Sequence, residues 1–187
     1  MIRTLAHKLR QAALRFHRSE DGNSTIEFVI VLPAFFLLFT SAYEGGVLST
    51  RHVVLEGAVD RAVRDVRIGK MPDPTHDSLT RAICDYARII PNCLQNIRLE
   101  MINNDLRNWT AISEQVACVD RDEEAPPLLN FTNGGNNQLM ILRACVLFDP
   151  MIPTTGLGKA IPKESGGAYG LVATSSYVME PFRRPGT

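Results

Sequence analysis

Residues 22–46 read GNSTIEFVIVLPAFFLLFTSAYEGG, and the reading of this stretch decides the fold. From Phe28 to Tyr43 sixteen residues carry no charge, and Glu27 and Glu44 bracket them. As a helix this run would be about 24 Å long at 1.5 Å per residue, short of the roughly 30 Å hydrocarbon core of a bilayer. One of the two glutamates therefore stands at or inside the apolar layer. A secretory signal peptide fits poorly, because the run is long, more than twenty residues precede it, and no A-x-A-like exit comes before Glu44.

Upstream, the first 22 residues hold Arg3, Lys8, Arg10, Arg15 and Arg18 against Glu20 and Asp21. The chain is formally neutral, so this end carries +3 and the remainder −3. A slightly acidic body lacks the basic surface that would replace phosphate counterions, which argues against nucleic-acid binding. At 187 residues and 45% hydrophobic content, one modest domain with extensions is expected.

Downstream, Leu48, His52, Leu55, Val59, Ala62 and Val66 recur at spacings of four and three, so the helical period continues past Glu44. Asp60 with Arg64 and Arg61 with Asp65 place opposite charges four apart on the polar side, and Gly69 with Pro72 and Pro74 gives a stop. The spacing predicts one helix from about Ser24 to Ile68, bent at Pro33 and weakened at Gly45-Gly46. In water the stripe Leu48, Leu55, Val59, Ala62 and Val66 needs cover, and a small sheet of the same chain is expected to supply it.

A second helix is expected from Asp77 to Ile89, with Leu79, Ile83 and Tyr86 on one face and Pro91 after it. The period then becomes two. Ile97, Leu99 and Met101 alternate with polar neighbours, Leu139–Phe148 is apolar enough for a central strand, and Gly170–Met179 sends Leu171, Ala173, Ser175 and Tyr177 one way and Val172, Thr174, Ser176 and Val178 the other. Loops fill the intervals marked by Pro126-Pro127, by Asn133–Asn137 and by Pro153–Gly167. The expected fold is α+β: a long membrane-spanning N-terminal helix packed on a small antiparallel sheet, with a second short helix. Its organisation is a basic leader at 1–22, a transmembrane helix at 23–48 and an α+β domain at 49–187.

Cys84, Cys93, Cys118 and Cys145 all follow the apolar run, an even count on one side of a membrane that suits an oxidising compartment. Four cysteines allow three pairings. The one expected is Cys84 with Cys93, since Pro91-Asn92 turns the chain back between them, and Cys118 with Cys145, tying a loop to the central strand. Their spacing matches no zinc site, the four histidines are scattered, and no metal or cofactor is expected. Gly156 and Gly158-Lys159 fail as a phosphate loop because Ala160 follows the lysine, and no G-x-S-x-G elbow occurs. Trp109 and Phe131 are expected in the core rather than in an exposed recognition patch.

The order basic leader, Gly22, Asn23, Glu27, Phe28 and an immediate apolar run resembles the processing site of type IV prepilins. That resemblance implies a cut after Gly22 by the prepilin peptidase, Asn23 as the new N-terminus, and Glu27 as the glutamate at the fifth mature position. The longer stretch, with Pro33, Glu44 before Gly45 and the region from Ala58 to Gly69, is similar to TadE-like proteins of the tight-adherence (Tad) type IV pilus, as is the late Glu180-Pro181-Phe182. The resemblance implies a pilin-like pseudopilin of the TadE/TadF kind, a non-enzymatic subunit needed to assemble a pilus for surface attachment and biofilm formation. Its implied partners are the prepilin peptidase, the Tad inner-membrane platform, a sister pseudopilin, the major pilin and membrane lipid, with no nucleic acid and no small-molecule substrate. It implies a bacterial inner membrane, the N-terminus cytoplasmic and the C-terminal domain periplasmic. The rival reading is an uncleaved, singly anchored periplasmic ligand-binding or scaffold domain.

Overall fold

The computed structural model describes residues 23–122, 130–135, 137–154 and 156–180; the basic leader and Gly22 lie outside the described residues, as do Pro181 and Phe182. Helix α1 spans Asn23–Arg67, unbroken by Pro33 or Gly45-Gly46. At 45 residues it is about 68 Å long. Its end is a glycine cap of the Schellman type: Gly69 takes φ 74°, its N–H donates to Val66 O, and Lys70 N–H donates to Asp65 O.

Helix α2, His76–Tyr86, opens on a capping box between Thr75 and Ser78. It ends three residues before the expected Ile89. Ala87 caps back to Ile83, and Asn92 in the left-handed region at φ 48° turns the chain into the short helix α3, Cys93–Asn96. This early reversal brings Cys93 back to Cys84, with their Cα atoms 5.7 Å apart in a disulfide.

Three strands follow: β1 Ile97–Asn104, β2 Leu139–Phe148 and β3 Tyr169–Val178, in sheet order β1-β2-β3, all antiparallel. A five-residue helix α4, Gly156–Ala160, lies in the β2–β3 connection, where the sequence suggested only loop. Gly-Leu-Gly-Lys-Ala has too weak a helical preference to announce it.

The core lies between α1, α2 and one face of the sheet. Leu55, Val59, Ala62 and Val66 are buried there with Leu79, Ile83, Leu99, Met101, Leu142, Ala144, Ala173 and Tyr177, while Leu48 is half-buried at its edge. Period-two alternation explains β1 and β3. Strand β2 is buried on both faces, because the segment from Ser113 to Arg121 covers its outer side. The Cys118–Cys145 disulfide fastens that cover, Arg143 donates to Ser113 O and pairs with Glu100, and Arg121 donates to Asp149 and Asn96.

Trp109 departs from expectation. It is 56% exposed, and only Phe131 of the supposed pair packs against the core, beside His76. The reason is local: Asn104 holds both the N–H and the carbonyl of Thr110, closing residues 104–110 into a loop that projects beyond β1.

At the junction of α1 and α2, Tyr86 donates its hydroxyl to Asp65 at 2.6 Å, and Lys70 stands 3.1 Å from the same carboxylate. The Tyr86 hydrogen bond, aided by Lys70, holds the Asp65 carboxyl below its usual value, and the same bond raises the Tyr86 hydroxyl. A depressed carboxyl stabilises the fold above its unfolded pKa and loses that contribution as pH falls through the folded one. A raised phenol contributes below its unfolded pKa and loses that as pH rises through its folded value. The contact is therefore whole between about pH 4 and 10. Thermal melts of the full chain in detergent should show Tyr86→Phe below wild type at neutral pH, with the gap narrowing in strong acid.

Candidate functional site

The inner half of α1 is apolar on every side and uncovered. Phe28, Val29, Ile30, Val31, Phe35, Phe36, Leu38 and Phe39 are all more than half exposed. Leaving one large aliphatic or aromatic side chain in water rather than burying it costs about 1.5–3 kcal/mol. Eight of them call for lipid or other helices. The few polar groups here turn inward: Thr40 donates to Phe36 O at 2.8 Å and Ser41 to Leu37 O at 2.7 Å, so neither hydroxyl needs water. The helix is long and apolar enough to cross a membrane, and its most apolar window is 0% buried. Glu27 is exposed one turn inside the N-terminal end, just before the run.

The other bracketing glutamate behaves differently. Glu44 is 1% exposed, and its carboxylate accepts the backbone N–H of Met151 at 3.0 Å and of Ile152 at 3.3 Å. The chain there reads Asp149-Pro150-Met151-Ile152-Pro153. Neither proline has an N–H, so the only two donors between them converge on Glu44. Two turns further, Arg51 donates to Tyr169 Oη at 2.9 Å and lies 4.8 Å above the Phe148 ring. Burial is the main reason the Tyr169 hydroxyl titrates above its usual range.

Helix α4 completes this clasp. Leu157 reaches Gly45, where an added Cβ would lie 3.5 Å from its methyl, and Gly156 at φ 56° sits over Ser41. Folded cover on α1 therefore starts at Ser41 to Glu44. The helix has two regimes meeting at Glu44: a bare apolar rod before it, and a core element after it through Leu55, Val59, Ala62 and Val66. An open groove lined by Tyr43, Gly46, Val47, Thr50, Arg51 and Ile89 marks the same level on another side.

A family model described as TadE-like protein matches residues 22–64. The chain carries a TadE-like segment. No curated protein and no solved structure matches the chain. The TadE-like segment runs from Gly22 through the apolar rod and Glu44 to Arg64, covering most of α1 and none of the sheet. Of the residues singled out in the sequence, Asn23 begins α1, Glu27 precedes the bare rod, and Leu55, Val59, Ala62 and Val66 lie in the core. The four cysteines form the two disulfides already described.

What sequence reasoning missed is the role of Glu44. The available signal was a glutamate in phase with the buried stripe, combined with a Pro-x-x-Pro loop directly after a strand that is apolar but for Arg143. Among the described residues no group of three or more His, Cys, Asp or Glu side chains is placed to hold a metal.

Proposed function

We propose that the chain is a minor pseudopilin of a Tad type IV pilus, held in the inner membrane by α1 and used in assembling the filament. The observation that carries this reading is the bare apolar rod of the TadE-like segment, joined without a break to a cystine-tied α+β domain. The rod lets the subunit wait in lipid and later pack against other helices, by dispersion and close approach rather than by escape from water. The clasp at Glu44 couples rod to domain, so a pull on one is transmitted to the other.

The work is mechanical and associative, and the chain is not an enzyme. The prepilin peptidase removes residues 1–22, Asn23 becomes the N-terminus, and Glu27, the glutamate of the processing motif, serves contacts between neighbouring subunits. The domain faces the periplasm, where both disulfides persist. Further partners are the inner-membrane platform, the sister pseudopilin and the major pilin.

Complementation tests this. Cells lacking the chain should lose surface filaments and attachment. Wild type should restore them, whereas Glu27→Ala should reach the membrane at normal abundance yet leave filaments sparse. Normal piliation without the chain would exclude the assembly role and favour a singly anchored ligand-binding or scaffold domain.

A further inference from the structure

The sheet has two edges, and they are not alike. On the outer side of β1, Met101 N–H donates to Asn130 O at 2.9 Å and Thr132 N–H donates to Met101 O at 3.1 Å, so the segment around Phe131 occupies that edge. On the β3 side, Met179 N–H donates to Gln138 O, and Leu139 pairs with Val178, which fixes the parity of the ladder. Antiparallel bonding alternates. Tyr169, Leu171, Ala173, Ser175 and Tyr177 therefore bond β2, while Val172, Thr174, Ser176 and Val178 direct N–H and C=O away from the sheet. The 3.1 Å approach of His52 Nε2 to Val172 O agrees with this parity. Beyond that contact, among the described residues, nothing bonds the outward backbone of Thr174 or Ser176.

An exposed edge is ordinarily blunted by a charge, a proline or a bulge. Gly170 to Met179 has none of these, and the first charge is Glu180. The outward-pointing residues Val172, Thr174, Ser176 and Val178 are exposed, β-branched or hydroxylic. Alongside runs a groove lined by Asp60, Arg64 and Arg67 of α1 and by Ser175, Ser176 and Glu180.

We propose that the open edge of β3, from Thr174 to Val178, accepts an extended segment of a different polypeptide as a fourth strand. This rests on the tethered-subunit reading above, because tethering is what removes a second copy as the occupant. Strand β3 and α1 run in the same direction, with His52 beside Val172 and Arg67 paired with Glu180. Two β3 edges joined antiparallel about a two-fold axis would point their apolar rods in opposite directions, and one membrane could not hold both. Parallel pairing of like edges needs a one-residue offset that a two-fold axis does not permit. Head-to-tail addition would need the outer edge of β1, whose middle is blocked at Met101 by residues 130–132. The incoming strand alternates: aliphatic or hydroxylic side chains on the face it shares with Val172, Thr174 and Val178, polar ones toward Asp60 and Arg64.

The test uses the full-length chain in its native cells, with photoreactive benzoylphenylalanine installed singly at Thr174, Ser176 or Val178. Cross-linked peptides are mapped by mass spectrometry, and membrane fractionation is scored on the same samples. The proposal expects all three positions to label one segment of one other protein, the labelled residues stepping by two as the probe steps by two. Ser176→Pro, which removes an outward N–H and no bond to β2, should cut the yield from Val178 by about tenfold, the loss of one or two hydrogen bonds in affinity. Should that variant lose its disulfides, the stepping pattern alone decides. Labels on a second copy, on lipid only, scattered without the two-residue step, or absent from membrane-bound chain overturn the proposal and leave the tethered reading intact. Chain recovered outside the membrane overturns that reading instead.

Discussion

Leu55→Asp should unfold the domain. Leu55 is fully buried where α1 meets the sheet, among Val59, Leu79, Leu142 and their neighbours. Truncating a buried leucine costs about 2–5 kcal/mol, and an unpartnered carboxylate in the same place adds several more. The total, about 5 kcal/mol or above, matches the whole stability of a typical domain. In detergent the full chain should lose its protease-resistant core. Val53→Asp is the matched control: Val53 is 62% exposed on the opposite side of the helix, and a charge there should shift stability by no more than about 0.5 kcal/mol. A Leu55→Asp chain as resistant as wild type would mean that another subunit, not this sheet, covers the stripe.

Glu44→Ala is expected to cost about 3 kcal/mol, because it removes the buried, charged acceptor shared by the Met151 and Ile152 N–H groups. The damage should be polarised. Limited proteolysis should open the segment 149–160 first, while the Tyr86–Asp65 junction of α2 with α1, about six turns along α1 from Glu44, stays closed. Glu44→Gln keeps the size and one acceptor oxygen, and should lose about half as much. The same rank order should appear in filament number if the clasp couples rod to domain. Equal stability of Glu44→Ala and wild type would reduce Glu44 to a marker of where the apolar run stops.

Periodicity made the main elements legible. The 4-3 spacing from Leu48 to Val66 needs only one buried face, and the alternation in β1 and β3 needs only a two-sided sheet, so both patterns survive in a single sequence. Leu139–Phe148 was readable as central because a strand apolar on both faces, with Arg143 its one charge, must be covered twice. The cover on its second face was not readable, since residues 105–122 have no period and are held by one disulfide and by side chains such as Arg143 and Arg121. Trp109 misled for a related reason: burial is the usual fate of tryptophan, and the Asn104–Thr110 closure, a polar contact across six residues with no period to announce it, turns it outward. The α2 terminus was misplaced because Pro91 was read as the stop, while the reversal starts at Ala87.

The candidate site was legible in part. Gly22, Glu27 and the apolar run were visible as a motif, and the TadE-like segment covers the same residues. Glu44 was visible only as a boundary, because its partners are backbone N–H groups more than a hundred residues away and carry no side-chain signature.

The most direct test of the assembly-subunit account is the intact mass and N-terminal sequence of the chain purified from membranes of cells with an active prepilin peptidase. The account predicts a chain beginning at Asn23, with Gly22→Leu retaining the leader. A membrane form that keeps Met1 to Gly22 in those cells would contradict it.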